Sequence, residues 1–146
     1  IHLRGIGIEG AFIFGLDGDD PSIFRRTVEF AQRAKLALAQ FGILTPFPGT
    51  KLYEEMKSQG RILVRDWSKY TISNVVFAPV GISKEALEEG FKWAYREFYS
   101  YRSIFRRLFN QRRNLWLFIL LNLSFKKIAD RLCSRSPFHH ATTQRQ

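Results

Sequence analysis

The sequence predicts an α/β fold in which two parallel strands alternate with helices, followed by a purely helical extension. Two short apolar runs rich in β-forming residues are each followed by a helix signal, and the carboxy-terminal third shows apolar residues three and four positions apart. Strand–helix alternation implies a parallel sheet with right-handed crossovers. The hydrophobic fraction of 45% is sufficient for a true core.

The first strand–helix unit begins with the apolar run at residues 10–15, which ends before the turn cluster at 17–20. Such a bounded run is typical of a buried parallel strand. Asp19 or Asp20 can accept the free N–H groups of a first helical turn, and Pro21 suits the first helical position. The side chains that would cover the sheet are Phe24, Thr27, Val28 and Ala31.

The second unit is predicted as a strand over residues 36–45, which Pro46 and Pro48 end because proline cannot continue a ladder. Thr50 can cap a short helix that runs to about Ser58, and Gly60 closes it. Two strands cannot form a stable sheet alone. We therefore expect the remaining strands to come from an amino-terminal part of the same protein, which would be the main partner of residues 1–60.

The rest of the chain is interpreted as an irregular connection over residues 61–82, a helical extension over 83–133 and a disordered polar tail over 134–146. Ser83 can cap the first helix, and a second helix is predicted from about Leu115 to Leu132. The first helix is predicted as one long element, because a single apolar seam continues along it: Leu87, Phe91, Ala94, Phe98, Tyr101, Phe105 and Leu108.

Several separate segments, in the same order, resemble the end of the radical SAM barrel, above all in members that carry a cobalamin-binding domain. The resemblance covers roughly residues 5–108. It implies that residues 1–60 are the last units of a partial (β/α) TIM-like barrel and that the later helices form its carboxy-terminal extension. The matching segments are residues 10–20, 27–31, 41–53, 60–63, 66–67 and 93–99.

The resemblance also implies cofactors for the complete enzyme. A CxxxCxxC loop would bind a 4Fe-4S cluster, the cluster would bind S-adenosylmethionine, and some members use cobalamin for methyl transfer, including on lipids. This chain has a single cysteine, Cys133, whereas such a cluster is held by three thiolates. We therefore predict an enzyme segment that is not catalytic alone and that contributes no catalytic residue.

Four residues are predicted to lie at the cofactor or substrate pocket, because ligands bind at the carboxyl ends of parallel strands. The resemblance places Ile13 and Gly15 beside S-adenosylmethionine, and Leu44 and Thr45 beside the adenine or substrate. Two structural alternatives stay open: Gly15 and Gly18 would only form a tight turn, and the loop after Thr45 would only terminate the strand.

No metal site is predicted. Asp17, Asp19 and Asp20 are better explained by helix capping than by a hard-cation loop, which needs more oxygen ligands. His2 is isolated, and the pair at 139–140 has no further ligand near it in the sequence.

Positive charge is concentrated near the carboxy terminus. Residues 1–95 carry 12 basic and 11 acidic residues, whereas residues 96–146 carry 11 basic residues and only Glu97 and Asp130 as acids. Residues 112–127 begin and end with a basic pair and hold about eleven apolar-dominated residues between the pairs, fewer than the ~20 residues of a spanning helix. They predict a surface helix on an anionic membrane, with Trp116 and Phe118 at the headgroup boundary, or, alternatively, a helix buried against its neighbour.

A non-enzymatic basic module that binds anionic membrane or nucleic acid is the alternative function. Charge alone gives little support for nucleic acid, which also needs base-reading or stacking groups. The expected location is the cytoplasm, with peripheral attachment at the inner membrane face.

Overall fold

The computed structural model describes residues 6–109 and 114–134. A two-stranded parallel sheet is packed on one face by helices, and further helices follow. The mixed α/β class is as the sequence predicts. The elements in chain order are β1 (Glu9–Phe14), α1 (Ile23–Arg33), β2 (Leu38–Ile43), α2 (Lys51–Ser58), a 3₁₀ turn (Trp67–Lys69), α3 (Lys84–Phe98), α4 (Tyr101–Leu108) and α5 (Leu115–Ser134).

The two faces of the sheet differ sharply. Strands β1 and β2 pair in parallel, with Phe12 opposite Phe41 and Phe14 opposite Ile43. These side chains point to the face that α1 and α3 cover, where Phe14 and Phe41 are fully buried. Side chains alternate between faces along a strand, so Ile13 and Gln40 point to the opposite face, where both are exposed. Within residues 6–109 and 114–134, no helix or further strand packs on that face.

The outer edge of β2 is closed by Tyr95 of α3 and by Tyr99, the residue that follows this helix. The Tyr99 hydroxyl donates to Ala39 O (2.8 Å) and accepts from the Ala39 N–H (3.1 Å). The Tyr95 hydroxyl donates to Phe41 O (3.0 Å) and accepts from the Phe41 N–H (3.2 Å). Each hydroxyl thus replaces the backbone groups that a neighbouring strand would present. No strand can pair on this side of β2 without displacing them.

The segment between α2 and α3 extends this closure toward the carboxyl end of β2. The Ile43 N–H donates to Ile72 O at 2.7 Å. An isolated antiparallel bridge joins Ile62 to Phe77 within this segment. The edge of β2 is therefore covered by main chain as well as by tyrosines.

A buried arginine joins the helical extension to the amino end of β2. Arg107 of α4 donates to Leu36 O (2.7 Å), Ala37 O (2.9 Å) and Phe98 O (3.1 Å). It also donates to Oδ1 of Asn122 in α5 at 2.9 Å. Its guanidinium carbon lies 3.7 Å from the centroid of the Phe98 ring. One side chain thus connects α3, α4, α5 and the chain entering β2.

The single long helix predicted after Ser83 is wrong. Helix α3 ends at Phe98, Ser100 is extended, and its Oγ accepts from the Ser103 N–H, so that a second helix begins. The break rotates the following residues. Tyr101 and Phe105, predicted in the buried seam, are 69% and 66% exposed. The inward face of α4 instead carries Ser103, Ile104 and Arg107, together with Leu108, whose predicted burial is confirmed.

The predicted capping of α1 by Asp19 or Asp20 also differs from the structure. Ser22 is the residue before the helix, and no side chain caps it. Asp20 Oδ1 accepts from the Ser22 N–H at 2.7 Å, which shapes the turn before the helix. The caps predicted for α2 and α3 are confirmed, because Thr50 accepts from the Tyr53 N–H and Ser83 from the Ala86 N–H.

The described helices include none with the length and apolarity needed to cross a bilayer. Residues 135–146 of the predicted tail, with the pair at 139–140, lie outside the described residues, as do the basic residues at 112–113 of the predicted surface helix.

Candidate functional site at the carboxyl ends of the strands

The chain leaves β1 through a tight turn that one carboxylate organises. Asp19 Oδ2 accepts from the backbone N–H groups of Gly15 (2.8 Å) and Leu16 (3.0 Å). Gly15 has a φ of 95°, a conformation that side chains with a Cβ rarely adopt. A Cβ at this position would also lie 3.0 Å from Leu87 Cδ2. Backbone geometry and the approach of α3 both require glycine here.

Replacing Gly15 by alanine is therefore expected to lower the free energy of unfolding by about 2 kcal/mol, from the positive φ and the close contact with Leu87. Urea unfolding followed by circular dichroism measures this change. Gly18→Ala is the matched control in the same loop, since nothing lies within 4 Å of a Cβ there. Equal losses in both variants would contradict the assigned cause.

An ion pair fixes the other side of the turn. Arg61 donates to both carboxylate oxygens of Asp17, at 2.6 and 2.9 Å, and its Nε donates to Ala78 O at 2.9 Å. Hydrogen bonding from Arg61 lowers the pKa of Asp17 below its usual value. The pair ties the loop after β1 to the segment that follows α2, so both borders of the site are held together.

The four predicted pocket residues come together at this end of the sheet. Ile13 is 59% exposed on the open face, opposite Gly42 in the register. The N–H of Leu44 donates to Phe14 O at 2.8 Å, which carries the parallel pairing beyond β2. The Thr45 hydroxyl lies 3.0 Å from Ile43 O and 3.2 Å from Thr71 O. Their contact with a cofactor stays a prediction.

The N–H of Gly15 already donates to the Asp19 carboxylate. A Cβ on Gly15 would lie beside Leu87 and Phe77, on the side of the sheet that the helices cover. The tight-turn alternative accounts for this glycine fully. Among the four, Ile13 is the one whose exposed side chain points to the open face.

Two apolar residues at this end were not singled out as site residues from the sequence. Ile72 is 48% exposed, and its Cβ lies 3.6 Å from the position that a Cβ on Gly42 would occupy. Trp67 is 54% exposed and lies between Tyr53 and Tyr70, with ring centroids 5.9 and 5.1 Å away. The cap at Asp66, which accepts from the Ser68 N–H, is the local signal that marks this turn.

The described residues do not form a metal or cluster site. They contain no group of three or more histidine, cysteine or acidic residues that could hold a metal ion. The chain has one cysteine, whereas an iron–sulfur cluster of the kind implied is held by three thiolates. For S-adenosylmethionine, the exposed Ile13 offers an apolar contact on the open face.

Comparisons with known proteins support the resemblance in part. Over 130 residues, 88% of this chain, the sequence is 35% identical to bacteriochlorophyllide d C-12(1)-methyltransferase of Chlorobaculum tepidum. The chain is homologous to bacteriochlorophyllide methyltransferases. It is also 30% identical over 129 residues to the C-8(2)-methyltransferase of the same organism, covering 84% of the chain. Over 97 residues, 66% of the chain, it is 31% identical to the anaerobic magnesium-protoporphyrin IX monomethyl ester cyclase of Cereibacter sphaeroides.

These homologues relate the chain to the radical SAM enzymes. The chain spans only 28%, 27% and 16% of the lengths of these three relatives. No protein-family model matches the chain, and no solved structure matches it significantly.

Proposed function

We propose that this chain forms the last two strand–helix units of a radical SAM barrel together with the helical extension, and that the complete enzyme transfers a methyl group to a chlorophyll-type tetrapyrrole. The observation that carries the proposal is the asymmetry of the sheet, since Tyr95 and Tyr99 close one edge while no strand among residues 6–109 and 114–134 pairs with the other. Homology to two bacteriochlorophyllide methyltransferases supports the reaction class.

The asymmetry gives the direction in which the sheet would continue. In a parallel ladder, alternate residues present their backbone groups to opposite neighbours. Leu38 and Leu44 donate to Ile8 and Phe14, so the N–H and C=O groups of Ala11 and Ile13 point away from β2. Strands that precede β1 in the complete barrel would pair there, and their own inner faces would adjoin the open face of the sheet.

The chemistry of the cofactors would then lie outside this chain. When bound, S-adenosylmethionine and a 4Fe-4S cluster would supply radical chemistry, and cobalamin would serve as the methyl carrier. This chain would contribute the exposed Ile13 beside S-adenosylmethionine and close the barrel at the carboxyl end of β2. Leu44 and Thr45 would shape the neighbouring wall, since Thr45 bonds the loop that carries Ile72.

Trp67 and Ile72 fit the substrate side of this proposal. A tetrapyrrole is large, flat and mostly apolar, and aromatic rings prefer to stack or to meet edge to face. The two exposed side chains stand on a segment that Thr45 and the Ile43 backbone anchor to β2. They would contact the macrocycle from the outer side of the barrel mouth.

Assay of the complete protein tests both parts of the proposal. After anaerobic cluster reconstitution and with a one-electron reductant such as dithionite, we expect cleavage of S-adenosylmethionine. In added bacteriochlorophyllide d, we expect one hydrogen to be replaced by a methyl group, a net mass gain of one CH2. The isolated 146-residue chain should do neither and should show no iron–sulfur absorption. A stoichiometric cluster in that chain, or a complete protein that leaves S-adenosylmethionine intact, would contradict the assignment.

Trp67→Ala is expected to raise the KM for the tetrapyrrole about tenfold, the equivalent of ~1.4 kcal/mol, while leaving the cofactor's KM unchanged. The control is Trp116→Ala in α5, which is 78% exposed and lies away from this end of the sheet. In detergent solution it should leave both KM values unchanged. If both substitutions changed the KM for the tetrapyrrole equally, the assignment of Trp67 to the substrate site would be wrong.

A further inference from the structure

The outward sides of α4 and α5 expose a row of large apolar side chains. On α4, Tyr101, Phe105 and Phe109 lie four residues apart and therefore share one side of the helix. Their exposed fractions are 69%, 66% and 72%, and the rings of Phe105 and Phe109 touch at 5.3 Å between centroids. Their exposure follows from the break at Ser100, which turns this row away from the core.

Helix α5 continues the same surface. Trp116, Leu117 and Leu120 are 78%, 53% and 63% exposed. A shallow cavity of about 290 Å³ is lined by Tyr101 from α4 and Leu120 from α5, so the two rows adjoin. We call these six residues the α4–α5 face.

The α4–α5 face is directed away from the candidate site. The buried side of α5 packs on the amino ends of the strands, where a Cβ on Gly7 would collide with the Phe118 ring and Asn122 Nδ2 donates to Ala37 O. Gly7 precedes β1 and Ala37 precedes β2, whereas the candidate site is at the carboxyl ends. Side chains on the outer side of α5 therefore cannot belong to the same pocket.

Basic residues border the face. Arg102 and Arg106 lie beside the aromatic row of α4, and Lys127 lies one turn beyond Ser124 on the exposed side of α5. Asp130 is the one acidic residue of these two helices. Its charge is offset by Lys126, whose Nζ lies 3.4 Å from Asp130 Oδ1. The surface that surrounds the apolar patch is thus positively charged.

We propose that the α4–α5 face docks on an anionic lipid bilayer, an interaction that goes beyond the proposed radical chemistry and does not depend on it. Trp116 and Tyr101 suit the headgroup boundary, because each side chain has an apolar ring and a polar group that can remain hydrated. The leucines and phenylalanines would enter the acyl boundary, and the rim of arginine and lysine would meet anionic headgroups. A nucleic acid would neutralise the rim but leave the apolar centre uncovered.

The same docking accounts for a feature that the buried-helix alternative leaves unexplained. Phe118 of α5 does pack inward, as that alternative predicts, but Trp116 does not. Exposed apolar patches bordered by polar residues mark interaction sites in soluble proteins. Positive charge around this patch selects a negatively charged partner surface.

Co-sedimentation of the complete protein with phosphatidylcholine vesicles, with and without phosphatidylglycerol, tests the proposal. We expect binding to the anionic vesicles that weakens as salt rises. The double variant Trp116→Ser with Leu120→Ser should weaken it roughly tenfold or more, since two large apolar side chains no longer enter the boundary. Arg106→Glu with Lys127→Glu should weaken it by a similar factor at low salt.

Matched controls keep the test specific. Leu63→Ser removes another exposed apolar side chain, 52% exposed on the segment before α3, and Arg25→Glu reverses an exposed charge on α1. Both should bind vesicles as the unmodified protein does. Circular dichroism should show unchanged unfolding for all four variants, because the altered side chains are exposed.

Three outcomes would overturn the proposal: no sedimentation with anionic vesicles, equal weakening in the controls, or a dimer in solution that Trp116→Ser with Leu120→Ser dissociates. A salt-sensitive shift of duplex DNA without vesicle binding would do the same and would assign the rim to nucleic acid. Cleavage of S-adenosylmethionine in detergent is measured separately, so failure here leaves the enzymatic proposal untouched.

Discussion

Replacing Arg107 by alanine is expected to lower the free energy of unfolding by about 4 kcal/mol. The side chain is 3% exposed, and its nitrogen atoms donate to five acceptors. These are the carbonyl oxygens of Leu36, Ala37 and Phe98, the Oδ1 atom of Asn122 and the Oγ atom of Ser103. Removal takes this donor from Leu36 O, Phe98 O and Asn122 Oδ1, whereas Ala37 O keeps the amide of Asn122, and it opens a cavity beside the Phe98 ring.

The bonding of Arg107 is specific to a guanidinium. Burial lowers its pKa to about 10, which still leaves it protonated at pH 7. Its described hydrogen-bond acceptors are neutral oxygens and include no carboxylate. The buried charge is therefore compensated by these hydrogen bonds and by the face of the Phe98 ring. Lysine keeps the charge but lacks the planar fork of donors, so Arg107→Lys should recover only part of the loss.

Urea unfolding at constant pH measures the effect, and Arg106→Ala is the matched control. Arg106 is the preceding residue, exposed, and on the same helix, so its removal should change stability by no more than ~0.5 kcal/mol. A loss below 1 kcal/mol in Arg107→Ala would mean that α4 and α5 are held by apolar contacts alone.

Local chemistry made much of the fold predictable. The strand–helix units, the turn at Gly60 and the caps at Thr50 and Ser83 depend on residues within a few positions of one another. Apolar runs predict such strands and helices directly, and glycine, proline or serine residues at their ends predict the turns and caps. The prediction failed at Ser100, because one serine can interrupt a seam whose apolar spacing continues unchanged.

The closure of the sheet was not predictable in the same way. The sequence pattern indicates only that Tyr95 and Tyr99 belong to a helical segment, yet their hydroxyls reach backbone groups 54 and 60 positions earlier. Arg107 looked like one charge of a basic surface. Nothing in a single sequence distinguishes a tyrosine that fills a core from one that also ends a sheet.

The candidate site was predictable from the sequence only in part. Ligand positions at the ends of parallel strands follow from topology, and the structure does bring Ile13, Leu44 and Thr45 to one end. Ile72 reaches it through a mostly irregular segment whose 3₁₀ turn carries Trp67, and periodicity carries no information about such a segment.

The second large effect is expected at the closed edge of β2. Tyr99→Phe should lower the free energy of unfolding by about 3 kcal/mol, because the buried N–H and C=O of Ala39 would both lose their partner. Tyr95→Phe should cost a similar amount at Phe41. The double variant should also aggregate, since an unpaired strand edge is a template for pairing with another chain.

Tyr101→Phe is the control for these variants. The Tyr101 side chain is 69% exposed, so the loss of its hydroxyl should cost no more than ~0.5 kcal/mol.

The same hydroxyls predict a pH dependence with a definite sign. Burial raises the pKa of both Tyr95 and Tyr99 above the ordinary value of 10.0. Above that pH the unfolded chain releases these protons while the folded chain retains them, so the stability they provide is complete below pH 10 and is lost as the pH rises further. Unfolding measured from pH 8 to 11 should therefore show a decline that Tyr99→Phe makes shallower and Tyr101→Phe leaves unchanged. If Tyr99→Phe unfolds with the same alkaline slope as the unmodified protein, its hydroxyl does not hold the edge. The sheet could then extend beyond β2, and the chain would lose its assignment as the end of the barrel.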